Sequence, residues 1–151
     1  MDMREILFRG RDEQGQWQHG NLVRYTEDDG EQVTCIVSTA RSEISAEVVF
    51  VPVDENTVGQ YVGLKDCDGM KIYEGDIVRI EDNHSGDSSN EEVKFFKGVF
   101  GIDNWTKDTR NRSLTTMNFF MPRIGLYDDE QEYKVKVIGN IYDNKELLSH
   151  K

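Results

Sequence analysis

Thr57–Val78, TVGQYVGLKDCDGMKIYEGDIV, decides how this 151-residue chain folds. Val58, Tyr61, Val62 and Leu64 precede the pair Asp68-Gly69, and Ile72, Tyr73, Ile77 and Val78 follow it. β-Branched and aromatic residues at this density favour a pleated, half-buried surface. Asp-Gly supplies the positive φ values that a two-residue type I′ hairpin turn needs. Gly75-Asp76 then interrupts the run, as a bulge or sharp bend does before a new strand. The stretch predicts a hairpin followed by a bend, which is how a small barrel turns a corner.

Outward from this stretch the chain reads as short strands separated by turns. Strands are expected at Ile6–Phe8, Leu22–Tyr25, Val33–Val37, Glu47–Val53, Asp76–Ile80, Val93–Phe96, Val99–Ile102, Leu114–Met121 and Tyr133–Ile138. Polar or glycine-bearing turns fall at Asp12–Gln16, Asp29-Gly30, Glu81–Glu91 and Lys97-Gly98. Such regular spacing favours a barrel or sandwich over a βαβ arrangement. A short C-terminal helix is expected, with Asp143 as its cap and Glu146 completing a capping box. Leu147 and Leu148 would dock it on the sheet, since one or two turns are not stable alone. A second short helix is expected around Thr39–Ala46. The fold class is therefore mainly β, α+β at most. It would be a small, SH3-like-barrel-type unit of short antiparallel strands with a C-terminal helix. The expected organisation is a β-rich segment over residues 1–56 and a barrel-like core over 57–151, or one continuous domain.

Composition narrows the function classes. The chain has 29 acidic and 18 basic residues, a formal net charge of −11. The acids cluster at Glu27–Glu31, Glu81–Glu92 and Asp128–Glu132. Runs of like charge are usually solvated loops. The sharper alternative is an acidic surface that imitates DNA phosphates and captures a DNA-binding protein. Lys94, Lys97, Lys107, Arg110, Arg112 and Arg123 are the residues that a basic, nucleic-acid-binding face would need. The overall negative field opposes approach to DNA or to an anionic membrane. The amino-terminal MDMREILFRGRDEQ is charged throughout, unlike a signal peptide. The longest apolar run, Val48–Val53, is too short to span a bilayer. A soluble cytoplasmic protein is expected.

No residue grouping carries recognisable chemistry. Cys35 lies in the apolar run VTCIV, where a reduced buried thiol is expected. Cys67 sits between two aspartates, which disfavour its thiolate. Asp66-Cys67-Asp68-Gly69 has the start of a calcium loop but not its later ligands or length, so a chain reversal explains it better. His84, near Asp82 and Asp87, lies in a polar loop that preorganises ligands poorly. No G-x-S-x-G, H-E-x-x-H, G-x-G-x-x-G or P-loop is present. No catalytic residue, cofactor or metal is expected. Trp105 precedes the basic segment Lys107–Arg112, and an aromatic beside cations can stack bases or form the rim of a protein contact. Trp105, Lys107, Arg110 and Arg112 are thus the candidate interaction surface, with a partly buried core or rim aromatic as the plainer reading of the tryptophan.

The pieces REILFRG (Arg4–Gly10), QWQHGNL (Gln16–Leu22), Thr57–Val78 and VIGNIYDNKELL (Val137–Leu148) carry a resemblance. In this order, the chain resembles the YopX family of small proteins encoded by phages and prophages of Gram-positive bacteria. Correspondence is weakest at Ser38–Val48 and Asn104–Gln131. The resemblance implies a mostly β fold, a phage or prophage origin, an intracellular setting and no catalytic residue. The function expected is non-enzymatic, exerted through protein contacts with a host or phage factor or with itself as a homo-oligomer. DNA mimicry and a nucleic-acid-binding or processing role are the alternatives.

Overall fold

The computed structural model describes residues 5–41, 46–83, 85–96, 98–102 and 133–148. The expected strand Leu114–Met121 lies outside them. The chain divides into two compact units, Met1–Gly63 and Leu64–Lys151.

The first unit holds β1 (Phe8–Arg11), β2 (Trp17–Thr26), β3 (Gln32–Arg41), β4 (Ala46–Pro52) and most of β5 (Asp54–Lys65). Four strands follow one another as an antiparallel meander, and β5 returns to the far side of β1, giving the order β4-β3-β2-β1-β5, with the short β6 (Lys71–Tyr73) next to β5. The register of β1 against β5 shifts between Arg9 and Arg11. There the Arg11 N–H donates to the Thr57 side-chain oxygen at 2.8 Å, so a hydroxyl replaces the missing ladder acceptor. Cys35, Ile36, Val37, Tyr61 and Val62 are buried here. Gly20 on β2 is required by close approach: a Cβ at this position would lie 2.2 Å from the Val37 carbonyl oxygen. The helix expected around Thr39–Ala46 is not found in the described part. Thr39–Arg41 extend β3, paired with Val48, Glu47 and Ala46, because ladder pairing overrides weak local helix preference.

The second unit carries β6 (Lys71–Tyr73), β7 (Asp76–Asp82), β8 (Ser88–Phe96), β9 (Val99–Ile102) and β10 (Tyr133–Asn140). The last four form an antiparallel sheet in the order β10-β7-β8-β9. Ile72, Tyr73, Ile77, Val78, Val93, Phe100, Ile102 and Val135 are buried in this unit. The bend expected at Gly75-Asp76 is a turn with Gly75 at φ 81°, closed by the buried Asp76 carboxylate accepting the Tyr73 N–H at 2.7 Å. The fold is mainly β. The C-terminal helix is a single 3-10 turn, Lys145–Leu148. In its lead-in the Asn140 side-chain oxygen accepts the Tyr142 and Asp143 N–H groups, each at 3.0 Å. The Asn90 amide donates to the Leu147 carbonyl at 2.9 Å and ties the turn to β8.

Three hairpin turns share one bonding pattern. In Asp12–Gln16, Glu27–Glu31 and Asp66–Met70 the first N–H donates to the fifth carbonyl and the fourth N–H to the first carbonyl. Gly15, Gly30 and Gly69 hold the fourth position at positive φ. This is a three-residue loop with one left-handed residue, not the two-residue type I′ turn expected at Asp68-Gly69. At Asp12 and Asp66 the carboxylate also binds the third and fifth N–H groups of its turn and adds to the stability of the longer loop.

Candidate functional site

The candidate surface Trp105, Lys107, Arg110 and Arg112 lies outside the described residues, as do His84, Lys97, Arg123 and His150. Lys94 is described and is ion-paired with Glu92 at 3.1 Å.

Asp66-Cys67-Asp68-Gly69 is a structural clip. Asp66 is buried; one carboxylate oxygen accepts the Asp68 and Met70 N–H groups at 2.9 and 2.8 Å. The other accepts the Val137 N–H of β10 at 3.0 Å, while the Cys67 N–H donates to the Val135 carbonyl at 3.0 Å. Both oxygens thus face backbone donors. Among the described residues no group of three His, Cys, Asp or Glu side chains is arranged to hold a metal ion. Asp68 pairs with Lys136 across 2.8 Å of half-exposed surface. The hydrogen bond from Lys136, with its charge, holds the Asp68 carboxyl below its ordinary range, and Asp68 in turn raises the Lys136 ammonium. Partial desolvation, then the Asp68 charge, push the exposed Cys67 thiol upward. A thiol so protonated is a poor nucleophile. Cys35 and Cys67 are free, and Cys35 is buried.

Trp17 is half-buried and faces two cations. The guanidinium carbons of Arg9 and Arg11 stand 4.5 and 4.8 Å from its ring centroid. Arg11 lies directly opposite Trp17 in the β1–β2 ladder, and alternation puts Arg9 on the same face. Arg9 is buried and Arg11 half-buried, and both cations pack on the Trp17 ring within the β1–β2 hairpin.

The surface with no such explanation is β4. Val48, Val49 and Phe50 are 61%, 38% and 54% exposed. They occupy adjacent positions on both faces of the strand that ends the order β4-β3-β2-β1-β5. The Val53 N–H donates to the Thr34 carbonyl at 2.9 Å, in the same register that pairs Ile36 with Val51 and Ser38 with Val49. In an antiparallel ladder the bonded pairs alternate, so Val49 and Val51 turn their backbone groups toward β3. Ala46, Val48, Phe50 and Pro52 turn theirs toward the outer edge, beyond which no strand lies among the described residues. Pro52 has no N–H, and here it needs none. A second apolar group, Phe95, Phe96 and Val99, is half-exposed on β8 and β9, with the Phe95 and Phe100 rings 4.9 Å apart.

Comparison with known proteins places this architecture. The family described as YopX protein matches residues 7–149. The chain belongs to the YopX family. Two solved structures are similar to this YopX-family chain. Protein EF1440 from Enterococcus faecalis is 22% identical, over 97% of this chain and 99% of that one, with a TM-score of 0.52. Protein yopX from Bacillus subtilis is 21% identical over the same shares, also with a TM-score of 0.52. At these identities the likeness speaks for the fold. No match was found among the curated proteins.

The β4 edge of this YopX-family chain is hidden in its sequence. VVFVP reads equally as a buried strand, since exposure depends on whether another strand lies beyond it. Pro52 is the one local signal, because proline within a strand marks an edge. Trp17 with Arg9 and Arg11 is likewise invisible until the β1–β2 register sets them face to face.

Proposed function

We propose that this YopX-family chain works by protein contact rather than by catalysis, with the β4 edge of its first unit as the contact surface. The carrying observation is the run Val48–Phe50, apolar and exposed on an end strand. Open edges of this kind are ordinarily shortened, charged or covered, because their free N–H and C=O groups pair with other chains. The protonated Cys67 thiol and the backbone-saturated Asp66 support a non-enzymatic reading. DNA mimicry is less well supported, since Asp12, Asp29, Asp66 and Asp82 accept N–H bonds within their own turns. The family resemblance adds a phage or prophage origin and a cytoplasmic setting to the same proposal; among the described residues no helix is long and apolar enough to cross a membrane.

The test is affinity capture from host lysate at native salt, with wild type compared against the double variant Val48→Lys, Phe50→Lys. Both should have the same circular dichroism spectrum. The proposal expects recovered proteins, this chain included, to be lost with the variant. Identical recovery with both would remove β4 as the contact surface.

A further inference from the structure

We infer that the partner of the β4 edge is a second copy of this chain, the two β4 strands pairing antiparallel about a two-fold axis through Val49. This pairing rests on the protein-contact proposal above and deepens it by naming the occupant. The first support is backbone direction. Ala46, Val48 and Phe50 present outward N–H groups, and Pro52 an outward carbonyl. With Val49 facing Val49 of the second copy, Val48 meets Phe50 of the second copy and Ala46 meets Pro52. Every outward N–H then finds an outward carbonyl, and the missing N–H of Pro52 is the one unmet partner.

The second support is charge. AEVVFVP holds one ionisable residue, Glu47. In the Val49-centred register Glu47 lies opposite Val51, so no like charges meet across the axis, a juxtaposition that would be destabilising. The facing Val48–Phe50 pairs are aromatic against β-branched, a favourable cross-strand combination. Self-complementarity of this kind is what an isologous two-fold contact requires.

The third support is contrast with the chain's other edges. The edge of β10 is occupied by the Cys67 N–H and the Asp66 carboxylate. β6 and β9 are three and four residues long, short enough to be poor templates. β4 has seven residues and, among the described residues, no strand beyond it.

A single strand pair is a small contact, which places the dimer in a weak, roughly micromolar range. Each copy carries a formal charge of −11, so the copies repel at long range and screening by salt should tighten the pairing. Sedimentation equilibrium of the full chain over a concentration series, at low and moderate salt, tests this. The expected result is a monomer–dimer equilibrium that strengthens with salt. It should weaken at least about tenfold in Val48→Pro, which deletes an outward donor but leaves the β3 side intact, and in Val49→Lys, which sets two cations on the axis. Circular dichroism checks that both variants fold. A wild-type monomer at every concentration overturns the self-pairing, as does a dimer that Val48→Pro and Val49→Lys leave equally tight. The lysate comparison reads the protein-contact proposal independently, so a monomeric chain that still loses its partners on Val48→Lys, Phe50→Lys separates the two.

Discussion

Asp66 joins three backbone segments through one buried carboxylate, binding the Asp68, Met70 and Val137 N–H groups. Hydrogen bonds to a charged acceptor are among the stronger ones, and their loss leaves donors unmet. Asp66→Ala should therefore destabilise the second unit by about 2–4 kcal/mol, read as a lower urea midpoint. The sequence discloses half of this role. The Asp-x-x-Gly spacing announces a turn, but Val137 lies 71 residues away and no local pattern points to it. At Cys67 the acidic neighbours are readable in the sequence, and the structure adds desolvation as the larger cause of its raised thiol pKa. Alkylation of Cys67 at neutral pH should be slow for an exposed thiol and should accelerate in Asp68→Asn, measured by timed iodoacetamide labelling and mass spectrometry. An unchanged rate would mean that the neighbouring carboxylate does not govern it.

Among the elements, the turns separate conformational strain from close packing. Gly69 sits at φ 84° in open space, with no atom within 4 Å of where a Cβ would stand, whereas a Cβ on Gly20 would strike the Val37 carbonyl. Gly69→Ala should cost about 1 kcal/mol, and Gly20→Ala about 3 kcal/mol, because β2 and β3 must move apart. Equal urea midpoints for the two variants would contradict this ranking. The Asp68–Lys136 pair adds a pH signature. Asp68 is held below the ordinary carboxylate value, first by the Lys136 hydrogen bond, so its contribution is present above that ordinary value. It disappears as pH falls through the folded value. Asp12, lowered first by its bond from the Gln16 N–H, has the same sign. Lys136, raised by Asp68, contributes below the ordinary lysine value and loses its contribution as pH rises through the raised one. The urea-midpoint gap between wild type and Asp68→Asn should thus be open at neutral pH and close as pH falls past the ordinary carboxylate value and through the lowered folded one. Strands and turns were legible because β-branched runs and Asp-Gly pairs have local causes. The turn type was not, because Asp-Gly suits both a two-residue type I′ turn and the third and fourth positions of the three-residue loop found at Glu27–Glu31 and Asp66–Met70.

On the scale of the whole molecule, the mainly β architecture follows from alternating strands and turns, and the family relation agrees with it. The interaction surface does not follow in the same way. Sequence points to Trp105, Lys107, Arg110 and Arg112 because aromatic and cationic residues adjoin there. The described structure points to β4, whose exposure is decided by strand order and not by its own composition. Ala46, Val48 and Phe50 carry the N–H groups that the proposed contact would use, and amide hydrogen exchange reads those groups individually. Across a rising concentration of the wild-type chain, exchange at Val48 and Phe50 should slow progressively. Val49 and Val51, already bonded to β3, should stay unchanged. Exchange at Val48 and Phe50 that is fast and independent of concentration would contradict pairing through β4.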